Sequence, residues 1–289
     1  METQVKPNEE TYQALVVAEW TDPATVAAWD RWSAKQLVLY RDATALLLRA
    51  AGVRPGATVL DLASGTGDPV LAIAEVVGSR GRVTATDLSA DMVQVCRETL
   101  QSRGVTNVEV LQADAQDLPF PDASFDCVTS KLGAMYFVDM QRALSEIRRV
   151  LKPGGKVALL VWGAPDQSPY VQLLLGPIFA RTELPSLPPD LPQPLRFAQP
   201  GLLAAELARA GFQDVDETTQ CVPMHWPGSP EEFWQSFYDV AVPMRPLIDG
   251  LEAAERQAAI GEILAGLRPH YDGEYTTVPC AFGIAAARR

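Results

Sequence analysis

At 289 residues, 47% apolar and 21% charged, the chain can bury one large core, or a core with a small cap. A net charge of −12, with Arg148-Arg149 and Arg288-Arg289 as its only basic pairs, argues against a nucleic-acid substrate, whose phosphates it would repel. Four scattered cysteines without C-x-x-C spacing read as free thiols, with Cys127 and Cys221 in strand-like runs expected to be buried, and with only His225 and His270 to join them no metal site is expected.

Taken in order, the chain begins with a polar Met1–Lys6, which has no signal-peptide pattern. No apolar run reaches the roughly 18–20 residues of a membrane span, so a cytoplasmic location is expected. Residues 1–54 form an N-terminal helical segment, helical from residue 11, in which Trp29 and Trp32 precede an apolar run that stops at Gly52 and Pro55-Gly56. A β/α alternation follows over 57–163. Strands are predicted at Thr58–Leu62, Arg82–Asp87, Val108–Leu111, Phe125–Ser130 and Val157–Trp162, with helices between them. Continuous apolar strands of this kind imply a parallel sheet covered on both faces.

Nine of the 23 prolines fall between Pro165 and Pro200, so 164–200 reads as a Pro-rich lid with short helical turns. A helix at Gly201–Ala210 and a strand at Asp214–Val222 come next. Residues 223–272, with Trp226, Phe233, Trp234, Phe237 and Tyr238, read as a two-helix insertion forming a substrate cap. Thr276–Ala285 closes the chain as a strand in which Pro279 suggests an edge or bulge. The whole reads as one domain, 1–289.

The chemistry is concentrated at Val59–Gly67, where a buried strand runs into a Gly-rich turn and a helix, the first half of a nucleotide-binding βαβ unit. Gly65 and Gly67 let a ligand approach the backbone, but Val70 stands where a dinucleotide fingerprint needs its third glycine. Asp61 would repel a pyrophosphate and is suited to a bound cation. The D-x-A-x-G-x-G pattern resembles the first motif of class I S-adenosylmethionine-dependent methyltransferases. Asp87, the Ala113-Asp114-Ala115 step and Leu151-Lys152-Pro153-Gly154-Gly155 match in order, as in the family that includes the ubiquinone/menaquinone-biosynthesis C-methyltransferases (methyltransferase type 11). The resemblance covers 57–163.

That resemblance implies a Rossmann-like, seven-stranded, mainly parallel sheet with an antiparallel terminal hairpin, helices on both faces and a helical cap. It implies S-adenosylmethionine as cofactor and S-adenosylhomocysteine as product. Asp61, Ala63, Ser64, Gly65 and Gly67 would surround the methionine part, and Asp87 would accept the ribose hydroxyls. Leu88 and Met92 would lie by the adenine, read by Asp114 and Ala115. Lys131 is counted with these positions, against the alternatives of a salt bridge, a substrate contact and a surface lysine. Trp29, Trp32, Tyr136 and Trp162 would wall an acceptor pocket unless they are ordinary core. His225 is the one general-base candidate by residue type, against a packed histidine. No Asn/Asp-Pro-Pro-Tyr motif follows strand four, and no cysteines converge for arsenic chemistry. The expected activity is methyl transfer to an O, N or C nucleophile of a small, apolar or aromatic molecule. The alternatives are a catalytically silent cofactor-binding sensor or partner subunit, and an NAD-dependent oxidoreductase. Oligomeric state is left open.

Overall fold

The computed structural model describes residues 9–182 and 191–289. Three helices lead: α1 (Glu9–Thr21), α2 (Pro23–Leu39) and α3 (Arg41–Ala51). Asp22 caps α2 by accepting from the Thr25 amide at 2.8 Å, with Pro23 in the first turn where its missing N–H costs nothing. α3 ends at Gly52, whose φ of 66° is the left-handed closure that glycine adopts most easily.

The alternation then runs β1 (Thr58–Leu62), α4 (Val70–Val77), β2 (Arg82–Asp87), α5 (Ala90–Ser102), β3 (Val108–Gln112), β4 (Phe125–Lys131), α6 (Met140–Val150) and β5 (Leu151–Trp162). After these come α7 (Pro169–Phe179), α8 (Leu202–Arg209), β6 (Gln213–Pro227), α9 (Pro230–Val240), α10 (Arg245–Asp249), α11 (Ala253–Leu267) and β7 (Tyr275–Arg288). The seven strands form one sheet in the order β3-β2-β1-β4-β5-β7-β6. The first five are parallel, β7 lies antiparallel to β5, and β6 pairs antiparallel with β7, as the expected terminal hairpin requires.

Period-2 alternation divides the core. Val59, Cys127, Ala158 and Leu160 face a layer that holds α3, α4, α7 and α11, whereas Leu60, Leu62, Val128 and Leu159 face α6 and α8. Strand order reverses between β1 and β4, so the chain leaves these neighbours in opposite directions. A crevice opens beyond their carboxyl ends.

Four expectations need correction. Within the Pro-rich stretch, 169–179 is a helix packed on α11 and β7, with Leu174 and Ile178 fully buried, so its apolar spacing outweighed its prolines. Leu184–Pro189 lies outside the described residues. β6 continues to Pro227 and takes in His225 and Trp226, which had been assigned to the insertion; the insertion itself holds three helices. Cys221 is exposed, because β6 is an edge strand. Pro279 does sit where β7 has β6 alone as neighbour, since β5 pairing begins at Phe282. Among the described residues no helix is long and apolar enough to cross a membrane.

Candidate cofactor and acceptor cavity

The crevice holds a cavity of about 260 Å³, floored by the turn after β1 and the ends of β2, β3 and β4. The turn is bent tightly: Ala63, Gly65 and Gly67 have φ of 55°, 52° and 108°. An alanine in the left-handed region is strained, and it is held there by the Ser64 amide donating to the Thr86 carbonyl at 3.0 Å. Gly133 after β4 crosses close by; a Cβ there would stand 2.5 Å from that of Ala63.

Asp61 lies beneath the turn and has no exposed surface. It accepts from Thr129 Oγ1 at 2.6 Å and from Ser64 Oγ at 2.7 Å. Burial pushes its carboxyl up to about 7, against the pull of these two hydroxyls and the Lys131 charge. It supports the turn from below and does not line the cavity, and Gly67 likewise stays behind the lining. Ala63, Ser64 and Gly65 do line it.

Asp87 ends β2 at the cavity wall. Its Oδ2 accepts from the Gly65 amide at 2.8 Å and its Oδ1 from the Ser89 amide at 2.9 Å, and burial raises its carboxyl above the ordinary range. Leu88 and Met92 continue the lining beside it. After β3, Asp114 Oδ1 accepts from the Gln116 amide at 2.9 Å, and Asp114 and Ala115 form the next part of the wall. From β4, Lys131 reaches back to pair with Asp68 and sits 3.3 Å from Thr44 Oγ1 and 4.7 Å from the centre of the Tyr40 ring. It is buried, not a surface lysine.

The charged lining among the described residues is therefore three carboxylates, Asp68, Asp87 and Asp114, against the single ammonium of Lys131. That balance repels phosphates and suits a ligand carrying positive charge. The remaining wall is aromatic and aliphatic. Trp29, Tyr136 and Trp162 are part of it. Trp32 is not: its indole N–H donates to Asp239 Oδ2 at 2.8 Å, and its ring meets Trp226. His225 also lies elsewhere. On β6, its Nδ1 is 3.1 Å from Thr277 Oγ1 and its Nε2 is 3.6 Å from Asp42 Oδ2, outside the cavity lining.

Sequence reasoning missed Trp20, Tyr40 and Tyr170 as lining residues, whereas Phe237, read with the cap, does line the cavity. Tyr40 occupies the junction of α2 and α3, a place that an apolar run in the sequence does not distinguish from core. Tyr170 was hidden by the proline count around it.

Residues 30–174 match the model of the ubiE/COQ5 methyltransferase family. The ubiquinone/menaquinone biosynthesis C-methyltransferase UbiE of Teredinibacter turnerae is 44% identical over 122 residues, 42% of this chain and 49% of that protein. The chain thus spans about half the length of the curated relatives it matches. Among solved structures, the YcgJ protein of Bacillus subtilis superposes with a TM-score of 0.56 at 21% identity, over 86% of this chain and 98% of that one. Phosphoethanolamine N-methyltransferase 2 of Haemonchus contortus, solved with S-adenosylmethionine, gives 0.51 at 18%, over 86% and 52%. Both speak to the fold alone.

Proposed function

We propose, from the premise that the chain belongs to the ubiE/COQ5 methyltransferase family, that it moves a methyl group from S-adenosylmethionine to a small, largely apolar acceptor. The observation that carries this reading is the pairing in one cavity of an acid-lined, phosphate-repelling floor with an aromatic wall.

The residues fit the cofactor. Each oxygen of Asp87 already accepts one amide and keeps a further lone pair, so the carboxylate is held in place to accept two ribose hydroxyls. Leu88 and Met92 offer apolar surface to an adenine, and Asp114 with the Ala115 amide offers an acceptor and a donor to its edge. Gly133, lacking a Cβ, lets the turn after β4 pack directly against Ala63 in the turn after β1. When bound, the cofactor supplies an electrophilic methyl group on a sulfonium.

The protein's share of the work is positioning and exclusion of water. Aromatic walls desolvate the acceptor, and holding it near attack distance contributes several kcal/mol of barrier lowering. Lys131, neutralised by Asp68, is a structural cation that clamps Tyr40 against the wall. With His225 outside the cavity, no proton acceptor is assigned to it. The curated relatives are named C-methyltransferases of quinone biosynthesis, but Phe179, Leu195, Phe237 and Met244 of the wall lie beyond the matched 30–174. Their acceptor is therefore not carried over. A protein that only binds the cofactor has no use for this walled space, which disfavours the silent-sensor alternative.

Calorimetric titration with S-adenosylmethionine, S-adenosylhomocysteine and NAD tests the cofactor. Micromolar binding of both sulfur ligands and none of NAD is expected, and the reverse pattern refutes the reading. Transfer of labelled methyl to a panel of apolar acceptors separates an enzyme from a sensor.

A further inference from the structure

The cavity lining already accommodates one buried ammonium. Lys131 is paired with Asp68, and its Nζ lies 4.7 Å from the centre of the Tyr40 ring. A buried cation is costly alone, and here a ring face and a carboxylate offset that cost. A second group of the same composition stands in the wall, and among the described residues it holds no cation. Trp20 has Trp29 at 6.2 Å and Tyr136 edge-on at 5.2 Å, centre to centre, and all three side chains line the cavity. The indole N–H groups of Trp20 and Trp29 are buried, so these two residues present ring carbon to the cavity.

Glu19 is the carboxyl of this second group. It does not line the cavity, its Oε1 is buried with no hydrogen-bond partner, and no cation among the described residues pairs with it. Desolvation raises it above the ordinary carboxyl range. Burial first, and then the charge of Glu19, push up the Tyr136 phenol, so the carboxyl stands within electrostatic reach of the rings.

We infer that the methyl acceptor presents a neutral, weakly basic aromatic nitrogen carrying no proton, as in a pyridine or a tertiary arylamine, and that Trp20, Trp29, Tyr136 and Glu19 stabilise the positive charge which methylation places on it. The inference rests on the methyl-transfer reading and adds to it the nucleophile and the group that receives its charge. The nitrogen lone pair forms the new N–C bond as the S–C bond breaks, and the electron pair of the broken bond stays on sulfur. Positive charge passes from sulfur to nitrogen, and no proton moves.

The lining selects this chemistry. An oxygen or carbon nucleophile must shed a proton, yet donors already occupy the carboxylates: Lys131 and Thr44 on Asp68, two amides on Asp87, the Gln116 amide on Asp114. An aliphatic amine is protonated at neutral pH, which ties up its lone pair. A weakly basic aromatic nitrogen meets neither obstacle. Because it gains charge only as the bond forms, the rings and Glu19 favour the transition state over the bound acceptor. Lys131 repels a second cation at Tyr40, which directs the charge to the Trp20 side.

The complex with S-adenosylhomocysteine is titrated by equilibrium dialysis with N-methylquinolinium, a fixed cation, and with 1-methylnaphthalene, its hydrocarbon isostere. Burial of apolar surface alone favours the hydrocarbon. N-methylquinolinium is instead expected to bind about 10-fold more tightly, the equivalent of 1.4 kcal/mol. Glu19→Gln keeps the shape and removes the charge, and is expected to cut that preference by about 3-fold with S-adenosylhomocysteine affinity unchanged. Equal affinities, or a preference for the hydrocarbon, overturn the inference. That ratio is read on the unmodified protein, so it decides even if the variant does not fold. A preference that survives Glu19→Gln intact overturns the placement of the charge at this group. Failure of S-adenosylhomocysteine to bind, read separately by calorimetry, overturns the underlying methyl-transfer reading instead.

Discussion

Replacing Asp61 by asparagine is expected to change how stability depends on pH, by an amount that follows from burial. The carboxyl is fully buried and pushed up to about 7 from an ordinary 3.8. Between these values the folded chain holds a proton that the unfolded chain has released. By linkage, the corresponding stability is present in full below pH 3.8 and is lost as pH rises through 7. The interval, 7 minus 3.8, taken at 1.36 kcal/mol per unit, amounts to about 4 kcal/mol. Asparagine has nearly the same shape and no proton to lose, so Asp61→Asn should lack this loss. Guanidinium unfolding of both proteins at half-unit steps across the window measures it. The stability of the wild type minus that of the variant should fall by about 1.4 kcal/mol per pH unit in mid-window. Parallel curves would refute the reasoning and mean that the Lys131 field outweighs burial, leaving Asp61 charged in the folded protein.

Asp87→Ala removes the acceptor of two amides and, on the proposed reading, of the ribose hydroxyls, and should weaken S-adenosylmethionine binding by roughly 1–3 kcal/mol in a calorimetric titration. His225→Ala, outside the cavity, should leave both cofactor affinity and turnover unchanged; a large loss of turnover at full affinity would return His225 to the chemistry. Lys131→Met leaves the part-buried Asp68 without its cation, with only the Thr44 hydroxyl still donating to it, and should cost about 3 kcal/mol in denaturant unfolding. Much of that loss should be recovered when Asp68→Ala is added, because the uncompensated charge goes with it.

The strands and the Gly-rich turn that floor the cavity were legible because their signals are local. β1 and β2 appear at their predicted bounds, since each is a short apolar run closed by an acid and a turn. Local signals also explain the failures. Met224 and Trp226 are buried and His225 between them is not, a strand pattern, yet an aromatic run just after it suggested a helix. The part played by Asp61 depends on Thr129, a hydroxyl 68 residues away that only strand pairing brings under the turn. Trp32 and Trp29 share one helix and one residue type. What separates them is Asp239, two hundred residues later, which takes the N–H of one and not of the other. An acceptor wall built from residues 16 to 244 has no compact signature in a sequence read left to right.

That same dispersal bears on how the protein is made. β1 to β5 follow one another out of the ribosome, and each after β1 pairs with a strand already made. α2 packs on β6, and α3 on β5 and β7, so the earliest helices are synthesised long before the strands that receive them. Until residue 213 and beyond have been translated, the Trp32 face of α2 has no Trp226 to cover it. Nascent chains should carry a helix with uncovered aromatic surface through most of synthesis, the sort of segment that chaperones retain. The terminal hairpin is then the event that releases it, and loss of the last strand would free the first helices as well.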